Sequence, residues 1–305
     1  MPVARQGDEI IVAGQPFHTG TRIITWMDPG GYNAYQFEHP VVPPAAGKPV
    51  RSHPAAPAFV ATKPFGRREA LAGASRGDLG ALQRVVDQFV LHYDGAGLSK
   101  ICFEVLQQRG LSVHFLLDLD GTVYQTLDLE ERALHATTSN ERSIGIEMAN
   151  VGAYPRGETR LLTEWYHRDA QGQTQLRVPA KTGDPGIHKK NFTGRPARPA
   201  AVRDVVQGKE LIQYDFTPEQ YEALARLTVA LCRIFPRIKC DYPHDLAGRL
   251  ITRKLPDKEL AHYEGILGHF HIQENKTDPG PAFQWDTFIA CVRQQVLSSQ
   301  KSHRP

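Results

Sequence analysis

Ser143-Ile144-Gly145-Ile146-Glu147-Met148 is the stretch on which the fold turns. Alternation at period two puts Ile144, Ile146 and Met148 on one face of a strand, and Ser143, Gly145 and Glu147 on the other. Glu147 therefore points away from the apolar side, with small neighbours leaving room beside it. Upstream, Ser112-Val113-His114-Phe115-Leu116-Leu117-Asp118 and Thr122-Val123-Tyr124-Gln125-Thr126-Leu127 flank Asp120-Gly121, which predicts a hairpin. Further upstream, residues 85–92 form a mostly apolar run of inner-strand length, and residues 98–109 have helical spacing that stops at Gly110. Downstream, Thr217-Pro218-Glu219 opens a helix with an N-cap threonine, a first-position proline and an early acid. Tyr221, Leu224, Ala225, Thr228, Leu231 and Phe235 continue it at the spacing of a packed face. Residues 286–297 predict a closing helix. Strands mixed with packed helices give an α/β or α+β domain.

Two segments depart from this pattern. Residues 1–77 are rich in Pro and Gly, with Pro40, Pro43, Pro44, Pro49, Pro54 and Pro57 interrupting the second half. They read as an extension packing on the core, with room for one hairpin. Residues 152–213 carry an excess of Arg and Lys among many Pro and Gly. They read as a solvated insertion, the alternative being a basic lip for a polymeric substrate.

Composition narrows the function classes. In 305 residues, 41% apolar and 23% charged content allow a sizeable core, and a formal charge of +3 is too small to imply nucleic acid by itself. Cys102, Cys232, Cys240 and Cys291 form no CxxC pair and read as small buried hydrophobes. No run approaches the roughly 18 apolar residues of a membrane helix. Charge precedes any apolar stretch at the N-terminus, so the expected location is cytoplasmic, with export to the cell envelope as the alternative. Oligomeric state is not set by these features.

Thirteen histidines need sorting. His18, His39, His53 and His303 lie in unpatterned segments and read as surface residues. His92 ends an apolar run, where a side chain turns into a cleft. Gly268-His269-Phe270-His271-Ile272-Gln273-Glu274-Asn275-Lys276-Thr277-Asp278-Pro279-Gly280-Pro281 puts imidazoles, a lysine and an aspartate in one short loop. Zinc accepts His nitrogen and Asp oxygen, and a hydrolytic centre needs three protein ligands with one open position. His92, His269 and Asp278 supply such a set, and Glu147 suits a general base beside it.

His92-Tyr93, Ser112-Val113-His114-Phe115, Asp120-Gly121-Thr122-Val123-Tyr124-Gln125, His135-Ala136, Ser143-Ile144-Gly145-Ile146-Glu147, Gly268-His269 and Lys276-Thr277-Asp278-Pro279-Gly280-Pro281 occur in an order that resembles the N-acetylmuramoyl-L-alanine amidases, which share a fold with phage amidases and peptidoglycan recognition proteins. The resemblance spans residues 85–285, interrupted by the basic insertion. It implies an α/β fold, a mixed central sheet flanked by helices with a zinc-bearing groove, over residues 78–300. It implies zinc held by His92, His269 and Asp278, with Glu147 and Lys276 as the catalytic pair. The gap from His269 to Asp278 is a residue shorter than in the subfamily most alike, which keeps His271 as an alternative ligand. His135 and Asn140 match a segment bordering the substrate groove in relatives, and His114 is a further candidate for lining it. The implied substrate is peptidoglycan or a muropeptide. The alternative is a module of the same fold that binds peptidoglycan without cutting it.

Overall fold

The computed structural model describes residues 5–36 and 63–301. The prolines from Pro40 to Pro57, together with His39, His53 and His303, lie outside the described residues. The N-terminal segment supplies the hairpin β1 (Glu9–Val12) and β2 (Gln15–His18), then β3 (Ile23–Thr25) and β4 (Phe65–Arg67). Asp78 caps α1 (Leu79–Val85) by accepting from the Ala81 N–H, and β5 (Gln88–Tyr93) follows. The apolar run that begins at Val85 thus starts as the end of a helix and becomes a strand three residues later. After α2 (Ser99–Gln108) come β6 (Phe115–Leu117) and β7 (Val123–Gln125), the hairpin around Asp120-Gly121. β8 (Glu131–Ala133) pairs with β4, and β9 (Ser143–Met148) occupies the stretch read above.

Six strands form one mixed sheet in the order β15-β5-β9-β6-β7-β3, where β15 is Gly265–Gly268. The pairs β15/β5, β5/β9 and β9/β6 are parallel, β6/β7 is antiparallel and β7/β3 is parallel. The N-terminal segment therefore contributes the outermost strand.

Each sheet face is covered differently. Ile144, Ile146 and Met148 point into the main core with Phe89, Leu91, Phe115 and Leu117. α4 (Pro218–Ile234) and α6 (Trp285–Lys301) pack there, burying Leu224, Leu227, Leu231, Phe288 and Val292. Each such side chain contributes about 1.5–3 kcal/mol by leaving water. Thr217 caps α4 in a reciprocal box: its Oγ1 accepts from the Gln220 N–H at 3.1 Å, and the Gln220 side chain accepts from the Thr217 N–H at 3.0 Å. On the opposite face, α2 covers Leu116 and Tyr124 through Cys102 and Leu106. A separate patch, Val90, Leu267, Leu255 and Leu260, lies under α5 (Asp257–His262). Between these two patches the second face carries His92 and Glu147.

Residues 152–213 are more ordered than a solvated loop. They form β10 (Tyr154–Pro155), α3 (Arg160–Trp165), β11 (Tyr166–Arg168), β12 (Thr174–Leu176), β13 (Val202–Val206) and β14 (Lys209–Gln213). Leu162, Trp165, Tyr166 and Leu176 are buried together with Leu98, Leu119 and Val151 of the main body, so apolar residues spaced among the basic ones tie the insertion down. Of the cysteines, Cys102 is buried as expected, whereas Cys232 and Cys240 are half-buried and Cys291 on α6 is exposed. Among the described residues, no helix is long and apolar enough to cross a membrane.

Candidate metal centre

Strand register assembles the site. His92 on β5 lies directly opposite Glu147 on the parallel strand β9, so both side chains leave the same face. Gly268, the last residue of β15, pairs with Leu91, and His269 is the next residue on. The C-terminal ends of three adjacent parallel strands thus present His92, Glu147 and His269 in a row, where open α/β sheets place ligands. The chain then makes a single 3-10 turn (His269–His271), and Asp278 returns to the same point.

Three atoms converge there. His92 Nδ1 is 2.9 Å from His269 Nδ1 and 2.8 Å from Asp278 Oδ2, and His269 Nδ1 is 2.9 Å from the same oxygen. The three residues form a buried group able to hold a metal ion. Each ring also has an outer contact. His92 Nε2 is 3.0 Å from His135 Nδ1, whose Nε2 is 3.2 Å from the Ser143 hydroxyl. His269 Nε2 is 2.6 Å from Gln273 Oε1, an acceptor. Gln273 Oε1 can only accept, so His269 carries its proton on Nε2 and turns its Nδ1 lone pair to the centre; the contact of His92 Nε2 with His135 Nδ1 allows the same tautomer of His92. Burial, aided by His269 alongside, lowers His92 to about pKa 4, so its ring is neutral near pH 7. Burial opposes ionisation of Asp278, but the contacts that His269 and then His92 make with its Oδ2 outweigh it and hold the carboxyl far below its usual range. Two imidazole nitrogens and one carboxylate oxygen crowded on one point are a donor set for a divalent cation.

Glu147 is half-buried, and its Oε2 has no hydrogen-bond partner. Burial first, then Asp278 and Asp94, push its carboxyl well above the ordinary value, while Lys276 pulls it down. Lys276 also bears electrostatically on His92.

Other expectations need correction. His114 does not line the groove: it is fully buried, with Nε2 at 3.0 Å from the Glu131 carbonyl and Nδ1 accepting from the Gly145 N–H at 3.1 Å. Val113 and Phe115 do not share a face as the alternation expected, since Val113 packs with Leu116 and Phe115 with the main core, and Arg68 of the N-terminal segment covers His114. Arg68 is itself fully buried, and its guanidinium donates to the carbonyls of Leu129, Asn140, Glu141 and Ser143. His135 spends both ring nitrogens on His92 and Ser143, leaving neither for substrate. The Asn140 side-chain oxygen accepts from the N–H groups of His135 and Ala136, so it shapes the loop that presents His135. The room beside Glu147 is filled by His135: a Cβ on Gly145 would sit 2.5 Å from the His135 ring. His271 is buried with Nδ1 accepting from the Gly268 N–H at 2.9 Å and Nε2 donating to the Ile251 carbonyl at 2.7 Å, so it has no free nitrogen for a metal. His18 is exposed and pairs with Asp8. Gln273 was missed, although its position four residues after His269 places it on the same side of a helical turn.

Comparison with known proteins places the chain in a family. The profile of a family described as N-acetylmuramoyl-L-alanine amidase matches residues 82–281. No curated protein matches the chain. Among solved structures, the chain is similar to a selenomethionine derivative of AmpD, at 18% identity and TM-score 0.35 over 75% of this chain and 89% of that one. It is similar to the endolysin amidase LysCS from Clostridium intestinale, at 15% identity and TM-score 0.36 over 70% and 86%. It is also similar to the amidase AmiD from E. coli, solved with anhydro-N-acetylmuramic acid-L-Ala-D-gamma-Glu-L-Lys, at 18% identity and TM-score 0.38 over 68% and 57%. At such values the assignment rests on the profile, which covers well over half of the residues. The chain belongs to the N-acetylmuramoyl-L-alanine amidase family.

Proposed function

We propose that the protein is a zinc-dependent hydrolase that cuts the amide bond between the muramic acid lactyl group and L-alanine in peptidoglycan or its fragments. The observation that carries this reading is the convergence of His92 Nδ1, His269 Nδ1 and Asp278 Oδ2 beside the unpartnered carboxyl of Glu147. His92, His269 and Asp278 hold the zinc. A zinc ion with three protein ligands supplies Lewis acidity, polarising an amide carbonyl and making water acidic enough to react near neutral pH.

The protein's side chains do the rest. Glu147 takes the proton of the attacking water on its free Oε2 and later passes it to the departing alanine nitrogen. Its raised pKa suits a group that must both accept and return a proton, and the charge of a bound cation moderates that rise. Lys276 stabilises the negative charge that develops on the amide oxygen. In the same proposal, residues 78–300 form the catalytic unit and the described part of residues 1–77 packs on it, Arg68 fixing the segment from Asn140 to Ser143.

The test is mass spectrometry of products from soluble muropeptides and from intact sacculi, with and without a chelator. Release of a peptide beginning with L-alanine, abolished by the chelator and restored by zinc, is expected. Peptidoglycan binding without any release, in zinc-loaded protein, would leave a binding module instead.

A further inference from the structure

The tip of the hairpin formed by β13 and β14 does something that a surface turn has no need to do. Its two central residues, Gln207 and Gly208, have φ of +54° and +70°. Positive φ at both positions is the backbone of the tight turn that matches strand twist, and glycine or asparagine normally occupies it. Gln207 takes up that conformation with a long side chain, a strained choice for which the turn itself gives no reason.

The reason lies at the end of that side chain. Gln207 Nε2 donates to the carbonyls of Phe270 at 2.7 Å and Gln273 at 3.0 Å, while its Oε1 accepts from the Lys254 N–H at 3.3 Å. Its own N–H donates to the Thr252 carbonyl at 2.8 Å. The two carbonyls it grips lie within and just after the turn that begins at His269. Gln273, held in this way by its backbone, turns its side-chain oxygen back onto His269 Nε2 at 2.6 Å. A continuous path of hydrogen bonds therefore runs from the basic insertion to the histidine that faces the metal centre.

We propose that Gln207 and Gln273 are positioning residues for the metal centre: the insertion docks through its hairpin tip onto the turn carrying His269 and fixes that ring, through Gln273, in the orientation and tautomer that directs Nδ1 at the cation. The inference rests on the metal-site reading given above. Outer partners of this kind orient a ligand ring and raise its basicity, and their loss typically costs about 10–100-fold in metal affinity. The insertion thereby acquires a role at the site that does not require it to touch substrate.

Competition of the full-length protein against a chromophoric zinc chelator tests this, with thermal unfolding of the metal-free protein recorded alongside. Gln207→Asn is the decisive variant. Asparagine is at ease at positive φ, so the metal-free fold should be retained or firmer, but its side chain is one methylene too short to grip the turn. The expected result is weaker zinc binding, within the same range of about 10–100-fold, without loss of apo stability. Gln273→Leu should show the same weakening, and Gln273→Glu should bind zinc at least as tightly as wild type, because a carboxylate accepts the His269 proton more strongly. Folded Gln207→Asn and Gln273→Leu proteins with wild-type zinc affinity would overturn the inference while leaving the metal site standing. Wild-type protein that takes up no zinc would overturn the metal-site reading, and this inference with it.

Discussion

Gly145→Ala is a one-methyl change on the central strand whose consequences follow from distance alone. The added Cβ would lie 2.5 Å from Cε1 and Nδ1 of His135, and ordinary contact begins near 3.4 Å, so the ring must retreat by roughly 1 Å. It cannot do so without stretching its 3.0 Å bond to His92 Nε2 or its 3.2 Å bond to Ser143, because both nitrogens are committed. Overpacking of this kind costs about 1–3 kcal/mol, and loosening the outer partner of a ligand histidine costs about 10–100-fold in metal affinity. Denaturant unfolding of the metal-free protein reads the first quantity and chelator competition the second. His135→Ala supplies the control: with the ring gone the methyl has space, so the stability cost of Gly145→Ala should largely vanish in the double variant, a coupling of about 1–3 kcal/mol. A Gly145→Ala protein with unchanged stability and unchanged zinc affinity would refute the reasoning.

Glu147→Gln should retain zinc yet lose about 10²–10⁴ in turnover, and Lys276→Ala about 10²–10³, both measured by product formation in zinc-replete buffer. Near-normal turnover in Glu147→Gln would remove its assignment as general base. Asp118 is fully buried with Oδ2 unpartnered, and burial pushes its carboxyl to about pKa 7 against roughly 4 when unfolded. Between those values the folded state binds the extra proton, so this group's contribution to stability is complete below pH 4 and is lost as pH rises through 7. Asp118→Asn should therefore stabilise the protein at pH 8 relative to wild type and flatten that part of the stability profile; a slope identical to wild type between pH 4 and 8 would show that the carboxyl is not protonated there.

Local chemistry was what the sequence made legible. The alternation of residues 143–148, the Asp120-Gly121 hairpin and the Thr217-Pro218 helix start each depend on a few adjacent residues, and each is present in the structure. The ligand group was readable because its donor types belong to one chemistry, and the register of β5, β9 and β15 brings them together. What failed depended on the third dimension. Alternation around His114 carried no information about Arg68, 46 residues earlier in a segment of different composition, arriving to cover it. Nothing in Arg67-Arg68 says that one guanidinium is half-exposed and the other fully buried. The insertion looked solvated because charge dominated its composition, whereas Leu162, Trp165, Tyr166 and Leu176 sufficed to anchor it. The role of His135 as the outer partner of His92 needed the ring separation.

Zinc content after exhaustive dialysis against a defined trace of the metal tests the central claim most directly, comparing wild type with His92→Ala and Asp278→Ala. One equivalent per chain in wild type, and loss of bound zinc in both folded variants, is the predicted result. Full occupancy in a folded His92→Ala protein would contradict it.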